Sequence, residues 1–135
     1  MNPTAVLETL YDAPGVERVD KLAGGLPASV FPALASRLAV TSKALAGALG
    51  ISERTLRKRV AARRLNGAEA TLSFQAFRVY RRAIEVLGDE ETARAWIASP
   101  QRALGERRPL DLFSSPLGVE EVLNVLGAID EGVYL

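Results

Sequence analysis

The chain of 135 residues contains no cysteine and no histidine. These absences exclude disulfide bridges, cysteine nucleophiles, histidine bases and nearly all structural zinc sites, so we expect no metal. A hydrolase built on serine, histidine and aspartate is excluded outright. The acids are spread along the solvent-facing sides of predicted helices, and no glycine-rich phosphate loop is present. We therefore expect no enzyme, no catalytic residue and no cofactor.

Long apolar segments are also missing. The longest uncharged stretch, residues 22–36, is interrupted by two glycines and two prolines and is too short to cross a membrane. The start of the chain has no basic segment ahead of an apolar one, so we expect no secretion signal. We expect a protein of the cytoplasm that has no membrane partner.

Positive charge is concentrated in one segment, although the net charge is only +1. Residues 41–66 carry seven bases and one acid, a net charge of +6, whereas residues 1–40 carry −1 and residues 67–135 carry −4. A basic block in a near-neutral chain favours contact with a polyanion. The alternative for such a block is an ordinary solvated helix face.

The segment around this block has the pattern of a helix-turn-helix. Thr41 can cap a short helix that ends at Gly50, and Ser52 can cap a second helix that begins at Glu53. In such a unit the second helix enters the major groove of DNA. The apolar side chains predicted to face the core are Leu45, Leu49, Ile51, Leu56 and Val60.

On a helical wheel of about 100° per residue, most bases of the second helix lie away from Leu56 and Val60. Arginine and lysine suit guanine O6 and N7 or phosphate, and threonine suits a thymine methyl group or phosphate. We expect Arg59 and Arg63, on the inward side, to pair with acids of the second half or to reach phosphate rather than to read bases. The predicted DNA-binding residues are Lys43, Ser52, Arg54, Thr55, Arg57 and Lys58.

Helix-capping residues and Gly or Pro stops dominate the rest of the chain, and clear strand alternation is scarce. We predict an all-α protein of about seven helices in two lobes, residues 1–68 with the helix-turn-helix and residues 69–135. In the second lobe Ser73, Asp89 and Ser115 are predicted helix caps. The first of these would begin a helix at Phe74.

That helix carries a wide apolar face in which Arg81 falls. An arginine in this position is costly unless its guanidinium is paired or reaches an edge of the apolar face. Two interpretations remain open, an internal ion pair with an acid such as Glu85 or Glu120 and a role at an interface.

We also predict a homodimer. One helix-turn-helix makes too few base contacts for a long site, and two-fold pairing matches a palindromic operator. The candidate residues of the dimer seam are Phe74, Phe77 and Val119.

A series of landmarks follows in the second half of the chain. They are Trp96, Ile97, Pro100, Ala103-Leu104-Gly105, Pro109-Leu110-Asp111-Leu112, Gly118, Val122, Leu126 and the ending Gly132-Val133-Tyr134, with Leu72, Ser73, Arg78 and Arg81 upstream. In this order they resemble the toxin-binding domain of Xre/MbcA/ParS-type antitoxins. The resemblance covers residues 40–135 and includes the helix-turn-helix ahead of that domain.

The resemblance implies an antitoxin that neutralises a RES-domain toxin, typically one that consumes NAD, and that represses its own operon. It implies that the C-terminal end plugs the toxin's active-site cleft, although the final Leu135 is larger than the residue that usually ends the family. The expected partners are a RES-domain toxin, operator DNA and a second copy of the chain. The alternative is a dimeric helix-turn-helix transcriptional regulator without a toxin partner. The toxin-binding residues implied are Arg81, Gly132, Val133, Tyr134 and Leu135.

Overall fold

The computed structural model describes residues 2–133 and is almost entirely helical. Its described residues form eight α-helices, two 3-10 turns and one pair of very short strands, which confirms the all-α prediction with one helix more than expected. The helices are α1 (Ala5–Asp12), α2 (Gly15–Ala23), α3 (Val30–Arg37), α4 (Ser42–Leu49), α5 (Glu53–Ala62), α6 (Gly67–Leu87), α7 (Glu90–Ile97) and α8 (Pro116–Asp130). The 3-10 turns are Arg102–Leu104 and Pro109–Leu112.

The chain divides into two compact units, one that extends to Phe74 and one that begins at Gln75. In the first unit β1 (Leu26–Pro27) pairs antiparallel with β2 (Arg64–Leu65), so that Leu26 lies opposite Leu65. This pair joins the segment before α3 to the segment after α5. The buried core of the first unit includes Leu7, Leu10, Leu22, Val30, Phe31, Leu34, Leu45 and Leu49.

The second unit has its own core, to which α7, α8 and both 3-10 turns contribute. Two of the three predicted caps are confirmed, because Asp89 accepts the Thr92 N–H at 2.7 Å and the Ser115 hydroxyl accepts the Gly118 N–H at 2.9 Å. The Tyr80 hydroxyl, on a fully buried ring, donates to Glu90 at 3.0 Å. The core side chains include Phe77, Ile97, Leu110, Phe113, Val119, Val122 and Leu126.

The prediction that α6 begins at Phe74 is wrong, because the helix begins at Gly67. Ser73 is buried inside the helix, where its hydroxyl donates to the Glu69 carbonyl at 2.8 Å, as serine within a helix does. The cap is a reciprocal pair one turn earlier. The Asn66 side chain accepts the Glu69 N–H at 2.9 Å, and the Glu69 carboxylate accepts the Asn66 N–H at 2.8 Å.

The prediction that Phe74, Phe77 and Val119 form a dimer seam is also wrong. Phe74, Phe77 and Val119 are only 4%, 0% and 2% exposed in the single chain. Their apolar surface is already covered within the single chain, and the Arg18 guanidinium lies 5.7 Å from the centroid of the Phe74 ring. A second copy could reach them only if the fold opened.

Candidate functional site

Helices α4 and α5 form a helix-turn-helix with a three-residue turn between Leu49 and Glu53. The Thr41 hydroxyl accepts a backbone N–H of α4 at 3.0 Å, as predicted for a cap. Gly50 ends α4 with φ of 76°, a left-handed conformation that glycine adopts without strain. Ile51 is 8% exposed beneath the turn, and Ser52 caps α5 by accepting the Thr55 N–H at 3.1 Å.

The inward side of α5 differs from the predicted one. None of its residues is fully buried, and Thr55, Leu56 and Arg59 are half-buried. Val60 is 55% exposed, so the prediction that it faces the core is wrong. The helix is instead rotated so that the side from Leu56 toward Arg59 faces the unit, because Arg59 pairs there with the buried Glu69 at 2.7 Å.

The outward side of α5 carries most of the predicted DNA-binding side chains. Measured from Leu56 at about 100° per residue, its centre lies between Arg54 and Arg57, and Lys58 lies at one margin. All three are exposed, so the structure places them on one continuous basic face. Thr55 lies beyond the Lys58 margin and is half-buried, and the exposed Ser52 donates its hydroxyl to the Thr55 hydroxyl at 3.0 Å.

Sequence reasoning missed Glu53, which occupies the other margin of the same face. Its carboxylate lies 3.3 Å from the Lys43 ammonium, and the two side chains are 52% and 79% exposed. Two features of the sequence could have identified Glu53 as a candidate. It is the first residue after the Ser52 cap, and it is the single acid of residues 41–66. The pair joins the beginnings of α4 and α5, so Lys43 is brought next to the base-reading candidates.

The two remaining bases of the block have different surroundings. Arg63 caps α5 with φ of 59° and is exposed, so it does not face inward as predicted. Arg64 donates to the carbonyls of Gly24 and Gly25 at 2.8 and 3.2 Å, beside the two-stranded pair. Arg64 therefore stabilises the fold by joining these two segments, and Arg63 is an exposed base at the end of α5.

The predicted toxin-binding residues of the described chain are Arg81, Gly132 and Val133, and Tyr134 and Leu135 lie outside the described residues. Arg81 is half-buried on α6. Gly132 has φ of 79°, and its N–H donates to the Ile129 carbonyl at 3.0 Å. The Val133 N–H donates to the Ala128 carbonyl at 2.9 Å, which completes a Schellman turn after α8. Val133 itself is 49% exposed.

A hollow of about 340 Å³ lies beside this turn. Apolar side chains form most of its wall, and Trp96 is half-buried there. The lining residues include Trp96, Arg102, Val125, Ile129 and Val133. The end of α8 therefore presents an apolar surface next to the point where the chain changes direction.

No helix within residues 2–133 is long and apolar enough to cross a membrane. The same residues contain no cluster of three or more acids that could hold a metal ion. The helix-turn-helix and its exposed basic face define a protein of the DNA-binding helix-turn-helix class, with a second helical unit attached.

Comparison with known families covers both units. Residues 17–78 match the antitoxin Xre-like helix-turn-helix domain, and residues 82–132 match the antitoxin Xre/MbcA/ParS C-terminal toxin-binding domain. The chain is 27% identical over 122 residues to antitoxin Xre of Yersinia enterocolitica serotype O:8 / biotype 1B. The aligned region covers 89% of this chain and 82% of the relative. The chain belongs to the Xre/MbcA/ParS antitoxin family, as the resemblance predicted, and is an antitoxin of a toxin–antitoxin system.

Proposed function

We propose that the protein neutralises a RES-domain, NAD-consuming toxin and represses its own operon. Residues 69–135 bind the toxin, residues 1–68 bind operator DNA, and the protein acts by binding rather than as an enzyme. The observation that carries the toxin assignment is the turn at Gly132, at the end of the matched toxin-binding domain. The chain turns there, and Val133, the last described residue, is half-exposed rather than buried in the core.

Neutralisation by this end is a competition for the toxin's active-site cleft. Gly132, Val133, Tyr134 and Leu135 occupy the cleft and exclude the substrate, which requires only a few residues. Stable association needs a wider contact with apolar anchors, which the body of residues 69–135, including Arg81, supplies. The two roles are therefore separable by mutation.

Deleting Val133 to Leu135 tests the blocking role. We expect the truncated protein to keep its helical circular dichroism and its DNA binding, since none of these residues lies in the first unit. Cells that express the toxin should lose protection partly or wholly, even where a pull-down still recovers the complex. Glu131→Ala, an exposed change just before the turn, is the matched control and should protect. Full protection by the truncated form would reject the plug and favour steric blocking by the body of the unit.

Operator binding is supported by the exposed bases of α5. We propose that Lys43 and Lys58 contact phosphates, that Arg54 and Arg57 reach base edges, and that Ser52 and Thr55 lie at the margin of the contact. Because one ten-residue recognition helix covers few base pairs, the operator is bound by a homodimer. Light scattering that gives a monomer at high concentration, with and without operator DNA, would refute the dimer.

The second candidate function is that of a transcriptional regulator without a toxin partner. The basic face of α5, taken alone, would support it. Co-purification distinguishes the two. The antitoxin should retain the product of the neighbouring toxin gene, whereas a plain regulator should purify alone from cells that express both genes.

A further inference from the structure

We propose that the outward face of α5 selects G·C base pairs, with Arg54 and Arg57 reading guanine and Glu53 reading cytosine. This inference rests on the proposed DNA binding and goes beyond it by naming the bases that are selected. It assigns a role in base selection to Glu53, an acidic residue whose negative charge would otherwise oppose DNA binding.

The geometry brings these three side chains together on the part of the helix that meets base edges. In a helix-turn-helix the first turns of the second helix contact the bases. Glu53 and Arg54 are the first two residues of α5, and Arg57 follows one turn later. With Arg59 turned inward onto Glu69 at 2.7 Å, Arg57 and Arg54 lie at the centre of the exposed face and Glu53 beside them.

The composition of that face determines which bases it can recognise. Arginine donates two hydrogen bonds to guanine O6 and N7, glutamate accepts from cytosine N4, and asparagine or glutamine pairs with adenine. Helix α5 contains neither asparagine nor glutamine. Of the residues suited to a thymine methyl group, Thr55 is half-buried and accepts the Ser52 hydroxyl at 3.0 Å, and Ala61 and Ala62 lie at the far end of α5 from its first turns. The first turns of the face therefore carry groups for guanine and cytosine and no fully exposed residue that favours an A·T pair.

The negative charge of the Glu53 carboxylate is unfavourable on a surface that binds a polyanion. Near phosphates or base acceptors it is repelled, so it weakens binding to most sequences. Opposite the amino group of cytosine it accepts a hydrogen bond instead. In the free protein Lys43 lies 3.3 Å away, but the pair is exposed and so weakly held. When Lys43 turns to a phosphate, the carboxylate remains to read the base.

The experiment selects bound duplexes from a library of randomised DNA at fixed salt, using the full chain. The wild-type protein should enrich half-sites with adjacent G·C pairs. Glu53→Gln should replace a cytosine preference by adenine or by no preference, with about a 5- to 150-fold change in discrimination at that position. It should also bind random DNA more tightly than the wild type, which a purely structural role for Glu53 would not produce.

Lys58→Ala is the matched control, since loss of a phosphate contact lowers affinity evenly across sequences and, without a new hydrogen-bonding group, leaves the selected bases unchanged. Circular dichroism checks that both variants keep their helices, which is expected because both side chains are exposed. Half-sites made of A·T pairs, or an unchanged consensus for Glu53→Gln, would overturn the base assignment while DNA binding stands. Recovery of no DNA by the wild type would overturn the operator-binding function along with it.

Discussion

The Arg59 guanidinium donates from Nε to both carboxylate oxygens of Glu69, at 2.7 and 2.9 Å. Glu69 is 6% exposed, and the same carboxylate accepts the Asn66 N–H at 2.8 Å. One buried acid therefore caps α6 and fixes the rotation of α5. The bases on the outward side of α5 take their direction from this pair, because Arg59 holds the opposite side inward.

We predict that Glu69→Gln lowers the free energy of unfolding by about 2–3 kcal/mol, because it leaves the partly buried Arg59 without its counter-charge. The midpoint of urea unfolding, followed by helical circular dichroism, measures the loss. Glu120→Gln removes the same charge from an exposed position on α8 and should change the midpoint little. Equal midpoints for the two variants would show that the pair is dispensable.

Local patterns were sufficient to predict the starts of four of the eight described helices. Thr41, Ser52, Asp89 and Ser115 each accept a backbone N–H three residues ahead, and this interaction depends only on neighbouring sequence. The start of α6 was missed for a physical reason. Asn66-Gly67 has the composition of a helix stop, and the structure uses the asparagine to cap the next helix instead.

The orientation of α5 could not be predicted from its own residues. The helical wheel of α5 is oriented with Leu56 and Val60 toward the core, because apolar side chains are expected to face inward. The actual inward side is set by Arg59, through a partner ten residues further along the chain. A rotation of this kind leaves Arg54 and Arg57 outward but adds Glu53 to the face. The basic residues were therefore found and the acid was not.

We predict that Arg57→Ala weakens binding to the protein's own promoter DNA by about 1–3 kcal/mol, because it removes a contact to a base edge. A fluorescence titration at several salt concentrations measures it, and the wild-type affinity should fall steeply with salt as counterions are released. Arg102→Ala removes an exposed charge from the second unit and serves as the control. Unchanged affinity for a triple alanine variant at Arg54, Arg57 and Lys58 would remove α5 from the DNA contact.

A steric test is available within α8, which holds two glycines with opposite surroundings. A Cβ atom on Gly118 would collide with the backbone carbonyl of Leu112, whereas one on Gly127 would meet no atom within 4 Å. We predict that Gly118→Ala destabilises the protein by about 3 kcal/mol or more, because backbone cannot move aside as a side chain can. Gly127→Ala should stabilise it by about 0.5–1 kcal/mol through the helix propensity of alanine. Thermal unfolding followed by circular dichroism ranks the three proteins, and equal effects at the two positions would contradict the packing of α8 on Leu112.

The N-cap of α7 makes stability depend on pH. The Thr92 backbone N–H, followed by its hydroxyl, donates to Asp89 and holds the pKa of that carboxyl below its usual 3.8. A lowered pKa in the folded state means that the charged form is favoured by folding. The stabilisation is complete above the unfolded pKa of 3.8, and it is lost as pH falls through the lower folded pKa.

We predict that Asp89→Asn removes this pH dependence and keeps the cap, since the asparagine side-chain oxygen accepts the same N–H without titrating. Urea midpoints are measured at pH 6 and at steps down to about pH 2.5, well below the usual pKa of 3.8. The wild type should lose stability relative to the variant across this range, because all other carboxyls are common to both proteins and cancel in the difference. A difference between the two urea midpoints that stays constant with pH would show that the folded and unfolded states bind the Asp89 proton equally. The prediction that protonation of Asp89 weakens the cap of α7 would then be wrong.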